Sequence, residues 1–329
     1  MPKPLKSYWE KYDLLYKNTS KKSLFKRLKK ECKKLGIPYK KKDNRGRKPK
    51  FGYYEYTAFI CLQKIFRHRY REMELEADLY LSAKVDHSTF QRNYEKIPEE
   101  YIAQLIMNLV NRKFIYWIAD STCMSSKIRV ERTFQGLRNK ILLRDKYHII
   151  IGYDPTINST MILGVKATNE HVSDSQAAIQ ILEGRKSNAY FLGDSAYNTY
   201  ELHDIVKEVG LFPLMKPDGK GIRKTLSVKA RQVKLFSKSI YKEIRGIVET
   251  VFGGATNAGL ILSYAKKEHT RRLDTLILAL RHNLMASIRS IIVFVRQTQR
   301  NNNLFIPIFI LDFGGIWQLR QFCLIFGEL

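Results

Sequence analysis

Phe114-Ile115-Tyr116-Trp117-Ile118-Ala119-Asp120 is an apolar, aromatic and β-branched run that ends on a carboxylate. With Ser121-Thr122 behind it, the run reads as a buried strand passing into a loop. The pattern returns downstream as Ala189-Tyr190-Phe191-Leu192-Gly193-Asp194, a second short apolar strand closed by aspartate. A charge that closes a buried strand stands at the rim of a sheet, where ligand sites form in open α/β folds. Two such aspartates in one domain point to a metal site, and a third carboxylate is then expected from elsewhere in the chain.

Working outward, residues 147–153 read as a second strand, 154–159 as a turn and 160–166 as a third strand, which makes a hairpin. Residues 173–182 read as a helix capped by Ser173, with Asp174 favouring its first turn. The strand ending on Asp194 follows. Residues 199–209 form a further helix stopped by Gly210, and 211–215 a fifth strand that Pro213 confines to an edge. Three strands, helix, strand, helix, strand is the order of an α/β mixed sheet with helices on both faces. Ribonuclease-H-like folds are built this way, with acidic residues at the ends of their first and fourth strands. Asp120 and Asp194 occupy those two places.

Residues 239–252 return to helical spacing. Tyr241, Arg245 and Glu249 recur every fourth residue and so line one face. Glu249 is the natural third carboxylate, and Arg245, one turn away, is placed to hold a phosphate or to pair with it. Gly253-Gly254 is expected to end this helix. Ahead of it, residues 216–238 form a basic insertion containing Arg223, Lys224 and Arg231. Its glycines and lack of periodicity read as a loop that tracks a phosphate backbone. A long helix over 271–296, with a stripe of leucine and isoleucine, should cover the sheet.

The N-terminal 112 residues read as a separate basic helical region that binds DNA, and 113–298 as the catalytic domain. Helices are expected over 21–35, 53–67, 72–81, from Ser88 or Thr89 onward, and from Pro98 to 110. The first 50 residues carry 19 Lys and Arg against four acids. Arg47 and Lys48 lie in Asn44-Arg45-Gly46-Arg47-Lys48-Pro49-Lys50, which has the composition of an arm laid along phosphates or in a minor groove, and equally that of a plain charged linker. With 58 Lys+Arg against 31 Asp+Glu, the formal net charge of the 329-residue chain is +27, so the expected partner is a polyanion, double-stranded DNA. No uninterrupted apolar run has transmembrane length, and no membrane partner is expected. Cys32, Cys61, Cys123 and Cys323 lie far apart with no CxxC pair, which argues against a zinc ribbon or a disulfide framework. No secretory signal is visible, and a reduced cytoplasmic setting follows. The apolar tail over 299–329 has no role that its sequence reveals.

Trp117-Ile118-Ala119-Asp120-Ser121-Thr122, Gly193-Asp194-Ser195-Ala196-Tyr197 and Arg245-Gly246-Ile247-Val248-Glu249 resemble, in that order, the three motifs of the DDE transposases of prokaryotic insertion sequences. Gly46-Arg47-Lys48-Pro49, Tyr70-Arg71-Glu72, Asp86-His87-Ser88-Thr89-Phe90-Gln91-Arg92 and Asn169-Glu170-His171-Val172-Ser173-Asp174-Ser175 are similar to segments around that core. The likeness spans roughly residues 45–290. It implies a ribonuclease-H-like core that cuts DNA at element ends and joins the freed 3′-hydroxyl to target DNA. Asp120, Asp194 and Glu249 would be the metal ligands. Two Mg²⁺ ions, for which Mn²⁺ can substitute, are the implied cofactors, because magnesium prefers carboxylates and water. In the family's last motif Arg245 and Glu249 keep their spacing, Tyr241 is displaced by one residue, and Thr256 stands at the lysine position. Pairing of two element ends implies a homodimer, and work on chromosomal DNA implies association with the nucleoid. Two rival readings share these residues: a structure-selective DNA nuclease and a non-catalytic DNA-binding remnant.

Overall fold

The computed structural model describes residues 20–39, 49–110, 112–134, 137–169, 171–217, 236–257, 262–263 and 265–301, and for 124–144, 257, 262–263 and 288–301 the backbone alone. Arg47 and Lys48, Arg223, Lys224 and Arg231, and the tail beyond Asn301 lie outside the described residues.

The strands are β1 (Tyr116–Phe134), β2 (Leu137–Asp154), β3 (Ser159–Asn169), β4 (Tyr190–Gly193), β5 (Phe212–Met215) and β6 (Leu262–Ser263). They form one mixed sheet in the order β3-β2-β1-β4-β5, with β6 pairing β1 off that path. β2 is antiparallel to β1 and β3, whereas β4 and β5 run parallel to β1. This is the ribonuclease-H-like arrangement expected from the order of elements. β5 is an edge strand, and Pro213 sits where its missing N–H faces the open border: Phe212 and Lys216 donate to Ala189 and Gly193 on the β4 side.

Two expectations about the strands are corrected. β1 does not end at Asp120, and β2 does not begin at 147. The two strands continue as a paired ribbon whose register runs from Asp120↔Ile149 out to Phe134↔Leu137, with one irregularity between Ser125 and Arg129. Polar residues after Asp120 suggested a loop because a buried strand needs apolar side chains. An antiparallel ribbon needs only a paired backbone. What does end near Asp120 is the parallel neighbour: β4 pairs β1 only over Tyr116–Ile118. Asp120 is therefore at the fork where β4 leaves and the ribbon goes on.

Among the described residues five helices precede the sheet: α1 (Lys21–Leu35), α2 (Tyr53–Ile65), α3 (Tyr70–Leu81), α4 (His87–Tyr94) and α5 (Glu99–Asn108). The cap of α4 is Asp86, whose carboxylate accepts from the Ser88 N–H at 2.8 Å, and not Ser88 or Thr89. Crossover helices α6 (Asp174–Leu182) and α7 (Tyr200–Glu208) are capped by the Ser173 and Thr199 hydroxyls. The expected helix over 239–252 is two helices, α8 (Lys238–Arg245) and α9 (Ile247–Asn257), which meet at Gly246. Gly253 and Gly254 lie inside α9 and do not end it. α10 (Glu268–Asn301) is longer than expected at both ends.

Side-chain alternation along β1 assigns the layers. Ile118 faces a cluster that includes Ile149, Ile151, Leu192 and Leu214 of the sheet, Ile244 and Val248 of α8–α9, and Leu276 and Leu280 of α10. The same cluster continues into the N-terminal helices through Leu28, Phe59 and Ile106, so the helical region and this face share one core. Trp117 and Ala119 face the opposite cluster with Ile150, Phe191, Leu182 of α6 and Val206 of α7.

α10 is tied across the sheet at two buried polar points. Arg271 donates its Nε–H to Asp145 at 2.8 Å, with both side chains almost fully buried. Asn283 accepts from the Ile162 N–H at 2.6 Å and donates to the carbonyls of Ile162 at 2.7 Å and Ile106 at 3.1 Å. Asn283 thus stands in for a neighbouring strand along the outer edge of β3. An Asn283→Leu chain should lose on the order of 3 kcal/mol of stability, because three buried backbone groups lose their partners. The urea midpoint checks this, and a midpoint unchanged from the parent would contradict it. Among the described residues no helix is long and apolar enough to cross a membrane.

Candidate active site

Period-two alternation places Asp120 on the face of Ile118, toward α8 and α9, and Ser121 on the face of Ala119, toward α6. Each neighbour meets a different set of partners. The Asp120 Oδ1 accepts from the Ser121 N–H at 2.9 Å, and its Oδ2 lies 3.2 Å from Arg245 Nη2. The other guanidinium nitrogen, Nη1, is 2.5 Å from Glu249 Oε1. One guanidinium therefore bridges the carboxylates of β1 and α9. It reaches both because α8 ends at Gly246 and α9 restarts one residue later, keeping Arg245 and Glu249 four apart on adjoining turns.

Asp194 follows β4 and caps the short 3₁₀ turn Ser195–Tyr197, its Oδ1 accepting from the Ala196 N–H at 2.8 Å. Gly193 makes this turn possible. A Cβ there would stand 2.7 Å from Tyr197 Cβ, so any side chain would push the turn away from the strand. Tyr197 is almost fully buried and within electrostatic reach of both Asp120 and Asp194.

The electrostatics follow from this crowding. Burial pushes the Asp120 carboxyl above the usual range; the Ser121 N–H and Arg245 pull it down, while the charges of Asp194 and Asp174 push it up again. For Arg245 burial would lower the pKa, but Asp120, Tyr241, Glu249 and Asp194 together raise it. Burial raises the Tyr241 hydroxyl, against the pull of Arg245, to which it is hydrogen bonded. Asp120 is largely enclosed, at 13% side-chain exposure, whereas Glu249 is open to solvent at 68%. Thr256 is exposed on α9, its hydroxyl bonded to the Phe252 carbonyl, so it offers no cation.

The structure thus brings Asp120, Arg245, Glu249 and Tyr241 into one contact network, with Asp194 acting on it through its charge. The carboxylates are not closed into a ligand cage: among the described residues the metal-binding atoms that all lie within 4.8 Å of one another are those of Glu74, Asp86 and His87. That group is occupied with local structure. Glu74 accepts from the His87 backbone at 3.2 Å and ring at 2.9 Å, and Asp86 caps α4.

On the other face lies a network that sequence reading missed. Asp174 Oδ1 is 2.8 Å from Lys146 Nζ and 3.1 Å from His148 Nδ1. The carboxylate also takes a hydrogen bond from the Ser121 side chain, and these partners outweigh burial and hold Asp174 well below the usual carboxylate range. His148 Nε2 meets the Thr168 hydroxyl at 2.9 Å, completing a polar chain from β3 to Ser121. Burial drives the Tyr197 hydroxyl far up, reinforced by Asp174, Asp120 and Asp194. Asp174 was read only as a favourable first-turn residue. The available signal was Lys146 and His148, two polar residues at the parity of Ile150 in an otherwise apolar strand.

The model for the transposase DDE domain matches residues 118–284. None of the curated proteins compared with the chain matches it. Among solved structures, the chain resembles a cryo-EM structure of the piggyBac transposase synaptic complex with hairpin DNA at 9% identity and a TM-score of 0.41, covering 91% of this chain and 77% of that one. It also resembles the Drosophila P element transposase strand transfer complex at 9% identity and a TM-score of 0.27, covering 84% and 87%. The family match takes in just over half of the 329 residues, including Asp120, Asp194 and Glu249, and the chain belongs to the transposase DDE domain family.

Proposed function

We propose that this chain is a DNA transposase that cleaves at insertion-sequence ends and transfers the strand into target DNA, with Asp120, Asp194 and Glu249 as the metal-ligand set. The observation that carries the reading is the single guanidinium of Arg245 bridging Asp120 and Glu249 beside Asp194. Three carboxylates drawn from β1, the end of β4 and α9 repel one another, and a cation already stands between two of them.

The donor set fits magnesium, because hard carboxylate oxygens with one solvent-open member leave room for bound water. Two Mg²⁺ ions, or Mn²⁺ in their place, supply water activation and relief of charge on the leaving oxygen when bound. The chain's own residues do the rest. Asp120 is fixed by Ser121 and Arg245, while Glu249 is open to solvent and held by Arg245. Once the carboxylates are neutralised otherwise, Arg245 becomes available to grip a phosphate, and Tyr241 orients it. The net charge of +27 supports duplex DNA as the partner. In this reading residues 1–112, with Arg47 and Lys48, contact DNA; 113–298 carry the chemistry; and Arg223, Lys224 and Arg231 of the insertion follow the backbone. Two copies pair two ends, and the site of work is the nucleoid.

The test is nicking of a supercoiled plasmid carrying element ends. The parent chain should nick only with divalent metal, and Asp120→Ala should abolish nicking while retaining DNA binding. Metal-dependent nicking that persists in Asp120→Ala would overturn the assignment.

A further inference from the structure

A cleft of about 990 Å³ runs between the N-terminal helices and the start of α10. One wall is the α2–α3 turn, with Lys64, Arg67 and Arg69; the other is the approach to α10, with Lys266 and Lys267. The acids that line it are engaged in structure. Asp274 accepts from the Tyr94 hydroxyl at 2.8 Å and lies 3.4 Å from Lys64. Glu95 is 2.5 Å from Lys267 Nζ. Glu72 accepts from the Arg69 backbone N–H at 2.7 Å. The remaining cations, Arg67, Arg69 and Lys266, are exposed. Arg67 is held at φ 65°, in the left-handed region that a long side chain seldom adopts.

The register fixes where this cleft lies. Arg271, just inside α10, is bonded to Asp145, and Asp145 pairs with Met124 on β1. Met124 is four residues past Asp120, about 13 Å along a strand. β6, just ahead of Lys266, pairs β1 at Ser125 and Ser126. The α10 wall therefore stands at the same end of the sheet as the candidate carboxylates.

We propose that this cleft is a docking site for the phosphodiester backbone of duplex DNA, gripped by Arg67, Arg69 and Lys266 beside the segment that Asp120, Asp194 and Glu249 act on. The inference rests on the DNA-processing function proposed above. The contact is electrostatic and independent of sequence, so it sets register on the duplex and leaves recognition to other residues.

The experiment is fluorescence anisotropy with a 30-base-pair duplex of arbitrary sequence, full-length chain, no metal, and 50 to 300 mM KCl. The Arg67→Gln/Arg69→Gln/Lys266→Gln chain should show a log–log salt slope shallower than the parent's by about two to three. A control, Lys113→Gln/Lys186→Gln/Lys207→Gln, removes the same charge from exposed residues at the opposite end of the sheet and should bind as the parent does. Independently of folding in the variants, bound duplex should slow acetylation of Lys266 in the parent chain and leave Lys186 unaffected. A parent that binds while the cleft variant keeps its slope, a control that weakens equally, or a Lys266 that reacts at the same rate with and without DNA overturns the cleft. A parent that binds no duplex overturns the DNA-processing function as well.

Discussion

An Arg271→Met chain should melt roughly 10 °C below the parent. Asp145 and Arg271 are both almost fully buried and 2.8 Å apart, and Arg271 also donates to the Lys266 carbonyl at 3.0 Å. Removing the guanidinium leaves the almost fully buried Asp145 side chain without its partner, at a cost of about 3–5 kcal/mol. The partner change Asp145→Leu should cost a similar amount. The double change Asp145→Leu/Arg271→Met should recover most of the loss, because an apolar pair of similar volume needs no desolvation. Calorimetry on the four chains forms a cycle, and a double variant as unstable as the sum of the singles would contradict the account. The pair is more than a staple. It sets α10 against β2 at the level of Met124, so its loss should also loosen the end of the sheet on which Asp120 depends.

Under the proposed transposase function, an Asp174→Asn chain should retain its fold and lose roughly 10- to 100-fold in metal-dependent nicking, the range seen when the residues behind metal ligands are altered. Asp174 touches no reacting atom. It is a positioning residue that holds Ser121, whose N–H fixes Asp120 Oδ1, while Lys146 and His148 fix Asp174 itself. A purely structural role would weaken substrate binding and turnover together. Positioning predicts an unchanged affinity for duplex DNA with a higher magnesium requirement. The acid behaviour gives a second readout. The folded-state pKa of Asp174 is lowered, so its contribution to stability is present above the ordinary carboxylate value near 4 and is lost as pH falls through the lower folded value. The parent should therefore lose stability below about pH 4 more steeply than Asp174→Asn. Equal slopes in the two chains would remove Asp174 from this role.

Much of the architecture was legible because each strand of the parallel half is an uninterrupted apolar run with a recognisable turn or cap after it. Ser173 and Thr199 declared the crossover helices, and Pro213 declared the edge. The ribbon beyond Asp120 was not legible, since its strands hold together by backbone pairing and carry no apolar alternation that would distinguish them from a loop. The break at Gly246 was hidden because Arg245 and Glu249 keep helical spacing across it. Gly253-Gly254 misled because glycine marks a helix end only where the chain has nothing left to pack, and Val251 still buries itself against the sheet. At the candidate site, Asp120, Arg245 and Glu249 were visible from spacing. Asp174 was hidden because its partners lie on β1 and β2, residues brought together only by the antiparallel register.

Each outer strand of the sheet is blunted at one position. On one side an amide side chain fills the hydrogen-bonding positions of Ile162, and on the other an imino acid offers no proton to an incoming backbone. Under the proposed function, two molecules brought together on DNA gain little by pairing backbones at those two positions. A union held by the nucleic acid should come apart when the duplex is digested, whereas one held by helical surfaces should survive digestion.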